Sequence, residues 1–151
     1  MVFHVPVMAA EVVAGLVGDP QGVYVDATAG GGGHSRAILK ELGPQGRLVA
    51  LDRDPEAVAQ VQRELQDQRV TVVCGRFGEL RQVLALQGVS EVDGVLFDLG
   101  VSSHQIDRAS RGFSYQQEGP LDMRMEPGVG TSAAELIEQS SAEELAQLLA
   151  E

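Results

Sequence analysis

Four short runs of β-branched and apolar residues recur along the chain, Val23 to Thr28, Gly46 to Asp52, Val70 to Gly75 and Val92 to Leu99, each bounded by Gly, Asp or Pro. Brief, nearly continuous apolar runs fit strands buried on both faces. The intervals between them are of helix length. Ile38, Leu39 and Leu42 fall on one helical face, and Val58, Val61 and Leu65 on another. Gly43-Pro44 supplies a stop and Asp54-Pro55 a start, because proline fits the first turn of a helix and disrupts its interior. Strand alternating with helix predicts an α/β fold with a parallel sheet and right-handed connections. A further amphipathic helix is expected around Val7 to Val17, ahead of the first strand and covering the sheet.

With 151 residues, 44% of them hydrophobic, the chain can bury one core but not two. Its formal net charge of −11 opposes self-sufficient nucleic-acid binding, which rests on Lys and Arg neutralising phosphates, so an RNA partner would need help from elsewhere. The stretch from Met1 to Val17 lacks a basic start and is interrupted by Pro6 and Glu11, so it reads as neither signal peptide nor membrane span, and a cytoplasmic protein is expected. Cys74 is the single cysteine, which excludes an internal disulfide. Within Val72-Val73-Cys74 it is expected to be a buried structural thiol. His4, His34 and His104 show no metal-ligand spacing, so no metal is expected, and His4 reads as a packing residue.

Residues 100 to 130 are rich in Gly, Ser, Arg and Asp and hold no sustained period, which predicts a long irregular segment. Two helix starts follow, Ser132-Ala-Ala-Glu135 and Ser141-Ala-Glu-Glu144, both with a hydroxyl and a Glu three residues on. Leu145, Leu148 and Leu149 share one face of the second helix, which reaches Glu151 without a cap and reads as a truncated end. From Glu118 to Glu151 there are eight acidic residues and one basic one, Arg124, a solvated acidic face or a surface for a missing element.

The strongest local signal is Asp26-Ala-Thr-Ala-Gly30-Gly31-Gly32-Gly33-His34, between the first strand and its helix, where open α/β sheets bind ligands. Glycines let a backbone approach a ligand closely, and the free N–H groups opening a helix bind its polar atoms. The dinucleotide pattern fails in both frames, since Ser35 or Arg36 stands where a small residue is needed, and no Gly-Lys-Ser/Thr is present. A carboxylate at Asp26 would repel a pyrophosphate and suits a ligand carrying an ammonium and a sulfonium, as S-adenosylmethionine does. Asp52 ends the second strand nineteen residues after Gly33, a place from which a carboxylate can accept bonds from two ribose hydroxyls. Asp98 ends the fourth strand beside the same crevice, as a site residue or a turn residue. Phe77 either flanks an adenine or belongs to the core. His34 can bond a cofactor carboxylate or a backbone group.

Together with His4-Val-Pro-Val7, Leu51 to Pro55, Gly94 to Ser103, Gln105-Ile-Asp107, Arg111 to Ser114 and Gly119 to Met125, these residues resemble the ribosomal RNA cytosine-N4 methyltransferase family known as MraW or RsmH. The resemblance covers essentially the whole chain. It implies a Rossmann-like methyltransferase fold with an incomplete parallel sheet, S-adenosylmethionine as cofactor, and methylation of a cytosine N4 in 16S ribosomal RNA of the small subunit. It implies cofactor contacts at Gly32, Gly33, His34, Asp52, Phe77, Asp98 and Gln105. The same resemblance divides the chain into a cofactor-binding part, residues 1–110, and the irregular start of a helical substrate-recognition insertion, residues 111–151. His104 stands where the family usually has Pro, and members are much longer than this chain.

Methyl transfer to an exocyclic amine requires alignment rather than an activated nucleophile. Asp98, or the carbonyls of Leu99 and Gly100, would accept from the amine as its lone pair localises; Asp98 alternatively holds the cofactor. Phe113 or Tyr115 could stack on an extruded base while Arg108, Arg111 or Arg124 meets phosphate, or all five serve ordinary loop packing. Two rival readings remain: a non-catalytic cofactor-binding remnant, and a nicotinamide oxidoreductase.

Overall fold

A computed structural model describes residues 6–150, so His4 and the chain end at Glu151 lie outside the described residues. They form two compact units divided after Gly100.

In the first unit, α1 (Ala9–Leu16) precedes four strands, β1 (Val23–Asp26), β2 (Arg47–Asp52), β3 (Val70–Cys74) and β4 (Gly94–Leu96). Between them lie α2 (Gly33–Glu41), α3 (Pro55–Glu64), and a single 3-10 turn (Phe77–Glu79) running into α4 (Leu80–Leu86). All pairings are parallel, in the order β3-β2-β1-β4. This is the expected α/β, Rossmann-like arrangement. The order follows from handedness. Right-handed crossings through α2 and α3 step the chain outward on one face, and α4 then returns it across the other face to the free side of β1.

Side chains alternate across the sheet. Tyr24, Leu48 and Ala50 join Ile38, Leu39, Leu42, Val61 and Leu65 on the face covered by α1, α2 and α3, where Val13, Leu16 and Val17 of the first helical segment also pack. Val25 and Val49 face the other way, against Leu80 and Leu84 of α4 and Val89 beyond it. Leu16 can lie against β4 because position 94 is glycine; a Cβ there would stand 2.7 Å from Leu16 Cδ1. Asp54 caps α3 by accepting from the Glu56 N–H at 3.0 Å, with Pro55 in the first turn, as the Asp54-Pro55 signal predicts.

Three expectations need correction. Only β1 and β2 are buried on both faces; β3 and β4 are half-buried because they form the two sheet edges. The fourth strand stops at Leu96 rather than Leu99, since its partner β1 ends at Asp26. Cys74 is exposed, at the open end of edge strand β3, rather than buried. The 3-10 turn and α4 went unread, because Leu80 to Leu86 carries neither a capping residue nor a stop beyond Gly88.

The second unit contains α5 (Ser103–Asp107), a 3-10 turn (Ala109–Arg111), α6 (Ala133–Gln139) and α7 (Ala142–Ala150). Ser132 and Glu135 form a reciprocal capping box, and Ser141 with Glu144 repeats it. Ser102-x-x-Gln105 is a third such box, and that spacing was available in the sequence as a sign of α5. Among the described residues no helix is long and apolar enough to cross a membrane.

Candidate cofactor site

The chain reverses its direction of sheet growth between β1 and β4, so the crevice at their C-terminal ends is a topological switch point. The loop leaving β1 is fastened to the strands on both sides. Ala27 N–H donates to the Leu96 carbonyl and Ala29 N–H to the Leu51 carbonyl, each at 2.9 Å. Asp98 N–H donates to Thr28 Oγ1 at 2.7 Å. Gly30 and Gly32 then take φ of 49° and 77°, in the left-handed region that side chains disfavour, and Gly32 caps α2. Gly33 has Pro6 pressed against it: a Cβ would meet the ring at 3.0 Å.

Asp52 is the hub. Its Oδ2 accepts from Gly30 N–H at 2.7 Å and its Oδ1 from Asp54 N–H at 2.9 Å. An ionised carboxylate has about four acceptor directions, so two remain for a ligand. α2 opens without a side-chain cap and without an acidic residue in its first turn. Its leading N–H groups and positive dipole end therefore suit an anionic group such as a carboxylate.

Asp26 is inside the loop rather than on the crevice wall. It is 0% exposed and accepts from Ser35 Oγ at 2.6 Å and from Thr28 N–H at 3.3 Å. Burial pushes its carboxyl above the usual carboxylate range, partly opposed by these two hydrogen bonds. Its visible work is to tie the glycine-rich turn to α2.

Phe77 and Phe97 flank the crevice. They follow β3 and β4, opposite edges of the sheet and roughly 14 Å apart at three strand spacings. Their ring centroids are nevertheless 5.7 Å apart, edge to face at 84°, so the two rings reach toward each other past the ends of β2 and β1. Each is about half exposed. Phe97 was not singled out from the sequence; its place immediately before Asp98 was the available signal. Asp98 is half-exposed, with Oδ2 3.6 Å from His34 Nδ1. His34 Nε2 lies 3.0 Å from the Val7 carbonyl, a backbone group.

The remaining candidates lie in the second unit. Gln105 is buried, and its Oε1 accepts from Ser102 N–H at 2.9 Å. Arg111 is buried and donates to the Arg124 and Met125 carbonyls at 3.1 and 3.0 Å. Arg124 holds Asp122 through two hydrogen bonds, at 2.9 and 2.6 Å, and reaches the Gly130 carbonyl. Its guanidinium keeps the Asp122 carboxyl down at about 2. These two arginines are engaged with their own loop. Arg108 and Tyr115 are exposed, and Phe113 is half-buried. Among the described residues no group of three His, Cys, Asp or Glu could hold a metal ion.

A parallel sheet of this order, with a glycine-rich turn at the switch point and an acid closing β2, defines a Rossmann-like α/β protein with a crevice for a nucleotide-type ligand. The chain belongs to the MraW methylase family, whose model matches residues 1–151. It is 53% identical over 146 residues to the ribosomal RNA small subunit methyltransferase H of Thiobacillus denitrificans, and 53% over 147 residues to that of Hydrogenovibrio crunogenus. Each alignment covers 97% of this chain and 47% of the relative, so the chain spans about half the length of these curated relatives. Among solved structures, a putative O-methyltransferase from Klebsiella pneumoniae is similar at a TM-score of 0.49 and 23% identity, over 66% of this chain and 46% of that one.

Proposed function

We propose that this chain binds S-adenosylmethionine at the switch-point crevice and is the cofactor-binding part of an enzyme that methylates a cytosine N4 in 16S ribosomal RNA. The observation that carries the reading is Asp52, tethered to the glycine turn by Gly30 and keeping two acceptor directions open. The family's relatives bear a ribosomal RNA methyltransferase name, which supports an RNA substrate and hence a cytoplasmic, ribosome-associated role.

The residues present fit that cofactor. Asp52 would take the ribose hydroxyls, and the N–H groups of Gly32, Gly33 and His34 the amino-acid carboxylate. Phe77 would lie against the adenine. Gln105 is a further cofactor contact in this reading. Asp26, though buried, keeps the turn in shape through Ser35 and the Thr28 N–H. When bound, the cofactor supplies a methyl group open to in-line displacement. Asp98 would accept the proton of the amine as the nitrogen–carbon bond forms and the carbon–sulfur bond breaks, or would instead orient the cofactor. Residues 1–110 serve the cofactor in this reading, and 111–151 open a substrate-recognition insertion in which Phe113 and Tyr115 face RNA together with Arg108 just ahead of it, while Arg111 and Arg124 shape the segment.

Calorimetric titration with S-adenosylhomocysteine tests the cofactor claim. Asp52→Ala should weaken binding about a hundredfold, the worth of two hydrogen bonds to a charged acceptor. Binding of NAD in preference, or unchanged affinity in the variant, would sink it. Labelled methyl transfer to small ribosomal subunits, with the modified nucleoside identified, separates an enzyme from a chain that binds cofactor without reacting.

A further inference from the structure

His34 is 6% exposed at the second position of α2, and both its ring nitrogens face acceptors. Nε2 stands 3.0 Å from the Val7 carbonyl oxygen and Nδ1 3.6 Å from Asp98 Oδ2. A carbonyl can only accept, so Nε2 carries a proton. In a neutral ring the Nδ1 lone pair would then face a carboxylate, acceptor against acceptor. The geometry is attractive only when Nδ1 is protonated as well.

We propose that His34 is a positioning residue, a brace that fastens the Val7 segment and the Asp98 carboxylate to the start of α2 and so sets Asp98 for the cofactor. This rests on the reading of Asp98 as part of the cofactor site. The main chain of Asp98 is already pinned, through its N–H on Thr28 Oγ1, but its carboxylate lies beyond the last paired residue of β4 and is half-exposed. His34 is the buried group that orients it. Pro6, packed on Gly33, holds the same segment against α2 from the other side of the turn. The brace thus couples three pieces of chain that are remote in sequence, residues 6–7, the α2 start and the loop after β4.

Two measurements test this. In the ligand-free chain labelled with nitrogen-15, with His34→Gln assigning the resonances, the Nδ1 resonance of His34 should move on Asp98→Asn. An Nδ1 resonance indifferent to Asp98→Asn would overturn the brace. S-adenosylhomocysteine affinity should then weaken about threefold to tenfold in His34→Gln, which keeps an N–H for the Val7 carbonyl but has no ring nitrogen for Asp98. In an Asp98→Asn background the same substitution should cost little more, because its effect runs through Asp98. An equal loss in both backgrounds would also overturn the proposal. No ligand binding by the wild type, with the Asp98→Asn effect on the Nδ1 resonance intact, would instead count against the cofactor reading and leave the brace standing.

Discussion

In the unit that ends at Gly100, the buried residues are overwhelmingly apolar, with Ile38, Ala50, Leu51 and Val61 all at 0% exposure. In the unit that begins at Val101, the residues buried among those described are Gln105, Arg111 and Ser132, all polar. Tyr115 and Leu149 there are 96% and 88% exposed. The first unit is held by removing apolar surface from water, the second by side chains that satisfy turns of backbone. Arg111 ties the carbonyls of Arg124 and Met125, Ser102 and Ser132 cap helices, and Gly112, with φ of 74°, lies so close to the Pro120 carbonyl that a Cβ would collide with it. Hydrophobic burial is collective and gains with area, whereas capping is local and contributes about a kilocalorie per mole at a time. The two units should therefore fail differently.

The largest expected effect is Ile38→Ala, which deletes buried volume between α2 and the sheet and should cost about 3 kcal/mol by denaturant unfolding of the first unit. Leu149→Ala, at a comparably apolar but exposed position, should cost almost nothing. Equal losses in the two variants would break the comparison. Arg111→Met comes next. It keeps the stem but removes the donors to two carbonyls, and should cost about 2 kcal/mol, read as faster hydrogen exchange at the Met123 N–H that donates to Arg111. If exchange there stays slow, packing rather than carbonyl tethering holds that loop. Ser132→Ala should loosen α6 by about 1 kcal/mol, with the exchange of Glu135 N–H as the readout.

The contrast also explains what could be read before the structure. The four strands, α2, α3 and the parallel sheet were legible because burial imposes a period on the sequence, and Leu48, Val49 and Ala50 record both faces of one strand. The short β4 and the exposed Cys74 were misjudged because an apolar run does not say whether it is central or at an edge; strand order decides that. In the second unit, Ser132-x-x-Glu135 and Ser141-x-x-Glu144 were readable as local patterns. The roles of Arg111 and Arg124 were not, because their acceptors are carbonyls, which no residue type announces. At the crevice, the glycines, Asp52 and Asp98 were visible by position, while the burial of Asp26 and the ring pair of Phe77 with Phe97 depend on geometry that spacing does not carry.

Asp26→Asn is the smallest and most diagnostic test, because this residue applies the second unit's device, a side chain bonded to a turn, inside the first unit's apolar core. Its carboxyl is pushed up by burial, so the protonated form suits the folded state better than it suits the unfolded chain. The sign follows from linkage. This contribution is fully present below the unfolded carboxylate value of about 3.9 and is lost as pH rises through the higher folded value. Asn keeps an acceptor for Ser35 Oγ but brings two N–H donors that the site must satisfy, so the variant carries a penalty independent of pH. Relative to wild type, it should consequently gain ground as pH rises from about 4 to about 7, with the difference in melting temperature narrowing or changing sign. A pH-independent difference would mean that Ser35 and the Thr28 N–H fully offset the burial of the charge, and that the turn at the cofactor crevice is held by an anion at no cost.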